Sequence, residues 1–237
     1  MCTVTFIARR NGYALGMNRD EQLMRVPGLP PRLRRINGRR ALFPSEPNGG
    51  TWIGVNDAGA TFALINWYAV AARIRENPSS RGQVVKWSLP ADSPNAVEQI
   101  FDGLPLSRTN PFRLIGVFLA ERHVVEWRWD LQLLERRAHS WSTNTWISSG
   151  FDEPGAQRAR SKAFRKAMWQ PTVSSLDWLR RLHRSHVPER GPYSHRMHRL
   201  DAASVSYTEV AVTRRTATMR YMAGPPCCTP LSKALSL

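Results

Sequence analysis

Cysteine is scarce in this chain of 237 residues. The three cysteines, Cys2, Cys227 and Cys228, are an odd number, and two of them are adjacent. Adjacent cysteines make a poor structural bridge, so the sequence implies no disulfide-stabilised scaffold. No CxxC or HExxH spacing is present, which leaves no established metal-binding motif.

Long apolar runs are also missing. The longest candidate, residues 60–72, is interrupted by Asn66 and falls short of the ~18 apolar residues of a membrane helix. Near the N-terminus, residues 4–8 are followed by two arginines, whereas a secretory signal needs roughly 7–15 apolar residues. We therefore predict a cytoplasmic protein with no membrane span.

Acidic residues are outnumbered: 34 Lys and Arg face 18 Asp and Glu, which gives a net charge of +16. Lysine occurs only four times, which leaves 34 − 4 = 30 arginines scattered along the chain. This abundance of arginine reflects either a codon preference or an electrostatic role. Specific nucleic-acid binding is not predicted, because the tryptophans lie in apolar strands instead of alternating with basic residues. The densest basic cluster, a candidate contact for an anionic ligand or surface, is Arg32, Arg34, Arg35, Arg39 and Arg40.

Strand-like segments stand at the beginning, middle and end of the chain, and pairs of helix-like segments separate them. Residues 19–50, rich in Pro, Gly and Arg, are expected to form a long binding loop. The order favours an α+β fold of antiparallel sheets, with one domain over 1–229 and a loose tail at 230–237. Predicted strands are 3–8, 13–18, 51–56, 60–67, 112–120, 123–130, 131–137, 141–148, 204–213 and 216–224; predicted helices are 79–88, one capped by Ser93, 155–169 and 174–185.

Cys2 directly follows the start methionine, which gives its thiol a special chemical option. Removal of Met1 would leave a cysteine with both a nucleophilic side chain and a free α-amino group. That amine has a reference pKa of about 7.7–8.0 and can take the thiol proton near neutral pH, so the thiolate can attack a carbonyl. The alternative is an ordinary buried thiol in an edge strand.

Such a site needs three helper groups, and the sequence offers a candidate for each. Asp20, at the end of the strand paired with the first, is expected to hold and orient the amine. Arg19 is expected to stabilise the thiolate and bridge it to Asp20, although the two side chains could also form a simple surface ion pair. Asn66, a lone polar residue in an apolar strand, is expected to be buried and to donate to the substrate oxyanion.

Six motifs extend this pattern along most of the chain. They are MCT at 1–3, MNRDE at 17–21, GGTWIGVNDAG at 49–59, ALINW at 63–67, SSGFDEPGAQR at 148–158 and HRLDAASVSYTEVAV at 198–212. Together they resemble the NRDE family, also called the transport and Golgi organization protein 2 family. That family is in turn similar to N-terminal nucleophile hydrolases of the bile salt (choloylglycine) hydrolase and penicillin V acylase type.

The resemblance implies a four-layer αββα sandwich of mainly antiparallel sheets and the cleavage of amide bonds without a cofactor. It implies that Cys2 is both nucleophile and base, that Asp20 orients the amine and that Asn66 contributes to an oxyanion hole. In the bile salt hydrolases an arginine stands where this chain has Met17, so Arg19 is the expected substitute.

A later asparagine of those acylases also has no direct counterpart. Ser149 occupies its place, and Asn144 nearby is a substitute donor. His198 and Arg199, which precede the last predicted hairpin, are candidates for the wall of the substrate pocket. The predicted substrate-binding residues are Asn18, Trp67, Asn144, Ser149, His198 and Arg199.

Four histidines form two pairs at i, i+3 spacing that could present imidazoles to one metal, with Cys227 or Cys228 as a further ligand. The pairs are His183 with His186 and His195 with His198. Because no metal motif supports this arrangement, we expect solvated surface histidines and no metal site.

The sequence thus predicts an N-terminal cysteine nucleophile hydrolase or acyltransferase acting on a small-molecule amide or acyl substrate. The alternative is a non-catalytic binding or carrier protein for an anionic metabolite, an acyl-CoA or a haem-like ligand. Ligand binding that survives replacement of Cys2 would favour the carrier. The sequence leaves the oligomeric state open.

Overall fold

The computed structural model describes residues 2–237, which form two β-sheets packed face to face with helices over both outer surfaces. In spatial order the first sheet contains β10 (Asn144–Ser148), β1 (Cys2–Arg9), β2 (Gly12–Gln22), β11 (Ala202–Thr213), β12 (Ala217–Met222) and β13 (Leu235–Ser236). The second contains β3 (Leu29–Ile36), β4 (Arg39–Ser45), β5 (Ile53–Asn56), β6 (Ala60–Asn66), β7 (Phe112–Phe118), β8 (His123–Trp129) and β9 (Leu134–His139). All these pairings are antiparallel.

Both faces of the central strands are buried, which explains why their sequences are nearly continuous apolar runs. In β1, Val4 and Phe6 enter the core between the two sheets, whereas Ile7 points outward into a separate helix-covered cluster. The outer layer over the first sheet is formed by α3 (Glu153–Ala167) and α4 (Leu176–Arg184). Alternate side chains along a strand thus enter the core between the two sheets and the core between a sheet and its helices.

The outer layer over the second sheet is formed by α1 (Gly82–Ser88) and α2 (Pro94–Asp102). The Ser93 hydroxyl accepts a 3.3 Å hydrogen bond from the Ala96 amide and caps α2, as the sequence predicts. Apolar side chains of both helices pack on residues of the sheet such as Phe62. The predicted α+β fold, a four-layer αββα sandwich with mainly antiparallel sheets, is confirmed.

The prediction of a long loop over residues 19–50 is wrong for most of its length. β2 continues to Gln22, and β3 and β4 form a hairpin. Asn37 and Gly38, with φ of 46° and 84°, supply the left-handed turn between these strands. The Asn-Gly pair signalled this hairpin, but the surrounding prolines and arginines obscured the signal.

The tail beyond Pro230 is not simply loose, because its β13 residues pair with Thr218 and Met219 of β12. Within residues 2–237, no helix combines the length and the apolar character needed to cross a membrane.

Candidate active site

Cys2 lies in a row of side chains that crosses four neighbouring strands. The register places it directly between Ser148 of β10 and Arg19 of β2, and Ser206 of β11 follows beyond Arg19. Directly opposed residues in a sheet share one face, so the four side chains lie side by side. Cys2 belongs to the core between the two sheets and is 7% exposed.

A cavity of about 270 Å³ opens at this row. Its walls include all four predicted catalytic residues, Cys2, Arg19, Asp20 and Asn66. The structure therefore brings together residues from β1, β2 and β6, and so from both sheets. Further wall residues are Glu21, Arg25, Glu46, Asn48, Thr51, Trp52, Leu64, Pro78, Ser79, Ser80, Arg81, Gly82 and Asn110.

The carboxylate of Asp20 is buried and held from two sides. Arg160 of α3 donates to its Oδ2 over 3.2 Å, and the Ser204 hydroxyl donates to its Oδ1 over 2.5 Å. Arg160 is itself fully buried and also donates to Thr3 Oγ1 over 2.7 Å. This network fixes the position of the carboxylate beside the first residues of β1.

The Arg19 side chain does not form the expected bridge to Asp20. Arg19 and Asp20 are consecutive strand residues, so their side chains leave the sheet on opposite faces. Arg19 instead donates to Glu46 Oε1 over 2.8 Å and to Glu21 Oε2 over 3.2 Å, and its guanidinium lies 4.6 Å from the Trp52 ring centre. Arg160, which sequence reasoning missed, is a cation that pairs with Asp20 over 3.2 Å.

Burial raises the pKa of the Cys2 thiol. The Asp20 carboxylate adds to the rise, whereas a hydrogen bond from the Asp20 backbone and the charge of Arg19 lower this pKa. Since burial is the largest of these effects, the resting group near neutral pH is a neutral thiol. A nucleophilic role for this sulfur therefore requires a nearby base. The predicted removal of Met1, which would supply one, concerns a residue outside the described part of the chain.

Asn66 stands at the end of β6 and is half-buried, rather than fully buried as its sequence context suggested. Its Nδ2 donates to the hydroxyl oxygen of Tyr68 over 2.8 Å. Arg81, at the start of α1, brings a third arginine to the cavity beside Arg19 and Arg25, and burial lowers the pKa of its guanidinium. Sequence reasoning missed Tyr68, Arg81 and Ser148. For Ser148, the only available signal was its place at the end of the predicted strand 141–148.

Three predicted substrate-binding residues have their side chains elsewhere. Asn18 is fully buried on the helix-covered face, where its Nδ2 donates to the backbone oxygens of His183 and His195 over 2.9 and 2.8 Å. Asn144 is paired with Phe6, four residues along β1 from Cys2. Trp67 lines a separate groove beside Arg128, whose guanidinium lies 5.8 Å from the Trp67 ring centre.

The other three also lie outside the wall of the cavity. Ser149 lines a neighbouring groove with Tyr68. His198 contacts His186, and Arg199 pairs with Asp201 over 2.7 Å. The cavity at Cys2 therefore contains the four predicted catalytic residues but none of the six predicted substrate-binding side chains.

The expectation that all four paired histidines are solvated at the surface is wrong. His183 and His195 are fully buried against the helix-covered face of the first sheet, with ring centres 6.2 Å apart. His183 Nε2 lies 3.0 Å from Thr5 Oγ1. The arginines around α4 suggested a solvated face, but the side of the helix that carries His183 packs on β1 and β2.

A family model described as Transport and Golgi organisation 2 matches residues 1–154, about two thirds of the chain. The chain belongs to this family. The residues that match this family model include Cys2, Arg19, Asp20, Asn66 and Ser148. The two side chains that hold the Asp20 carboxylate, from Arg160 and Ser204, come from beyond it.

Known structures share the fold at low sequence identity. Two variants of conjugated bile acid hydrolase from Clostridium perfringens match with TM-scores of 0.59 and 0.56, both at 10% identity. The matches cover 100% and 99% of this chain, and 92% and 96% of those chains. Penicillin V acylase from Agrobacterium tumefaciens matches with a TM-score of 0.51 at 9% identity, over 94% of this chain and 83% of that one. None of the curated proteins compared with the chain matches it.

Proposed function

We propose that this protein is an N-terminal cysteine nucleophile hydrolase that cleaves a small-molecule amide or transfers its acyl group. The observation that carries the proposal is the single cavity lined by Cys2, Arg19, Asp20 and Asn66. Its volume of about 270 Å³ suits the reacting part of a small substrate better than a folded protein. The likeness in fold to an acylase and a bile acid hydrolase supports the same reaction class.

In the proposed first step, processing exposes the α-amino group of Cys2. The neutral amine takes the proton of the Cys2 thiol, and the sulfur attacks the carbonyl carbon of the amide. The carbonyl oxygen becomes an oxyanion, for which Asn66 Nδ2 is the proposed donor. The Tyr68 hydroxyl, whose oxygen accepts the hydrogen bond from Asn66 Nδ2 in the structure, lies close enough to help stabilise the oxyanion.

Collapse of this intermediate breaks the carbon–nitrogen bond. The ammonium group of Cys2 returns a proton to the leaving nitrogen, and a thioester remains on the sulfur. A water molecule, deprotonated by the same amine, then attacks the thioester and releases a carboxylic acid and the free thiol. An amine or alcohol in place of water gives acyl transfer.

Asp20 has a positioning role in this scheme. Its carboxylate favours the ammonium form of the Cys2 amine, and the Arg160 and Ser204 contacts keep it in place. Arg19 acts from the other face of the sheet by lowering the pKa of the thiol against the effect of burial. In this scheme the charge of Asp20 therefore acts on the amine, which is the base, and the charge of Arg19 acts on the sulfur, which is the nucleophile.

A substrate screen with processed protein tests the proposal. Turnover of a panel of amides, N-acyl amino acids and lactams is expected for the wild type and for a Cys228→Ala control, whose thiol is exposed. Cys2→Ala should have no activity, and Asn66→Ala should lower kcat by about 10²–10³ with little change in KM. Binding of an anionic ligand that is unaffected by Cys2→Ala, with no turnover, would favour the carrier instead.

A cytoplasmic location is part of the same proposal, since a reducing compartment keeps a cysteine nucleophile as a thiol. Cell fractionation tests it, and recovery from an oxidising compartment would contradict it.

A further inference from the structure

Two histidines and a cysteine from distant parts of the chain meet outside the cavity of Cys2. His186 follows α4, His198 precedes β11, and Cys227 follows β12. The Nε2 atoms of His186 and His198 are 2.9 Å apart, and their ring centres are 5.0 Å apart. These two nitrogens and the Cys227 sulfur all lie within 4.8 Å of one another.

The two imidazoles point their Nε2 atoms at each other. Such a pair is satisfied in one of two ways: one ring donates a hydrogen bond to the other, or both lone pairs bind one cation. The nearby thiol favours the shared cation over the hydrogen bond between the rings. A cysteine sulfur adds little to a hydrogen bond between neutral rings, but as a thiolate it is a strong metal ligand.

We propose that His186, His198 and Cys227 form a metal site for a borderline-to-soft transition-metal ion, of which Zn²⁺ is the representative. Imidazole nitrogens and thiolate sulfurs are both ordinary ligands of this ion, and two of each form a common structural site. The fourth position is left for water or for Cys228, whose sulfur lies 3.9 Å from that of Cys227.

The distances require only small adjustments. Bonds of about 2.0–2.3 Å in a tetrahedral site place ligand atoms about 3.3–3.7 Å apart. The two nitrogens must therefore separate slightly, and the sulfur must move inward by about 1 Å. Cys227 is exposed and lies in the short turn after β12, so rotation of its side chain can supply that movement.

Two cations lie near the cluster. The charges of Arg190 and Arg196 act on both imidazoles. They repel a bound cation, so the negative charge of the Cys227 thiolate is needed for binding.

The test is a calorimetric titration of Zn²⁺ into untagged protein kept under a metal-free reductant. We expect one ion per chain for the wild type. His186→Ala, His198→Ala and Cys227→Ser should each weaken binding by at least about tenfold, the smallest loss usual for disturbing such a site. His123→Ala is the matched control, because His123 is exposed and its imidazole pairs with Glu121, away from the cluster. Circular dichroism establishes that each variant is folded.

Two more measurements make the assignment specific. Cys2→Ala should retain the ion, which separates this site from the proposed active site. Cobalt(II) bound to the wild type should show a thiolate-to-metal charge-transfer band that Cys227→Ser lacks. Absence of stoichiometric binding, binding that survives the double histidine variant, or a charge-transfer band that persists in Cys227→Ser would each overturn the proposal.

Discussion

Acidification is expected to destabilise the protein through its two buried histidines, His183 and His195. Burial lowers the pKa of His183 to about 3, and the charge of Arg160 adds to the effect. The pKa of His195 is also well below its ordinary value, through burial first and then through His183 and Arg160. Both rings are therefore neutral in the folded state, whereas the unfolded chain protonates them below about pH 6.5.

The sign and size of the effect follow from proton linkage. Between the folded and unfolded pKa values the unfolded state binds more protons, so stability falls as the pH falls. The loss is about 1.4 kcal/mol per pH unit for each histidine, or about 2 kcal/mol each on going from pH 6.5 to about pH 5. The two histidines together should therefore cost about 4 kcal/mol, a large share of a typical stability of 5–15 kcal/mol.

Urea unfolding at about pH 8 and about pH 5 measures this loss directly. His195→Leu, which removes one titrating ring, should reduce the pH-dependent loss by about 2 kcal/mol. The exposed His123→Gln is the control and should leave the loss unchanged. A His195→Leu variant with the same pH dependence as the wild type would refute the claim that this ring is buried and neutral.

Three further predictions concern packing and charge. Arg160→Met should lower the free energy of unfolding by about 3–5 kcal/mol, because it removes the buried cation that pairs with Asp20; a second change, Asp20→Asn, should restore part of it in denaturant unfolding. Gly116→Ala should cost about 1–3 kcal/mol, since its Cβ would lie 2.7 Å from a tryptophan ring atom. Gly103→Ala, whose Cβ would meet nothing nearer than 3.7 Å, should cost less in the same thermal unfolding experiment. Burial alone would raise the pKa of Glu126, but hydrogen bonds and the charges of neighbouring cations hold this pKa well below its ordinary value of 4.5. The ionised Glu126 carboxylate therefore contributes its stabilisation of the folded state above pH 4.5. Acid titration of Glu126→Gln should therefore show a difference from wild type that shrinks as the pH falls below 4.5, and a constant difference would contradict this assignment.

The part of the site that the sequence predicts well depends on one short turn. The Asn11-Gly12 pair signals the first hairpin, and once Arg9 is paired with Gly12 across the Arg10-Asn11 turn, counting outward places Cys2 opposite Arg19. Asn66 was identifiable because a polar residue ending an apolar strand needs a partner or a function. These are local signals, and the structure agrees with the resulting grouping in one cavity.

The parts that sequence reasoning missed depend on distant contacts. Arg160 and Ser204 reach Asp20 across 140 and 184 residues of chain, and no local pattern indicates which of thirty arginines does so. His183 lies on a helix whose other residues are largely basic, so only its packing on the sheet reveals that it is buried. The predicted bridge between Arg19 and Asp20 was wrong because it ignored strand alternation, which places the side chains of consecutive residues on opposite faces.

Mass spectrometry of the intact protein after exposure to an activated acyl donor tests whether Cys2 is an N-terminal nucleophile. We expect a chain that has lost Met1 and carries a single acyl group, which peptide mapping places on Cys2. Cys2→Ala should remain unmodified under the same conditions, while Cys228→Ala should be acylated as the wild type is. An active protein that retains Met1, or an acyl group found on any residue other than Cys2, would rule out this role for Cys2.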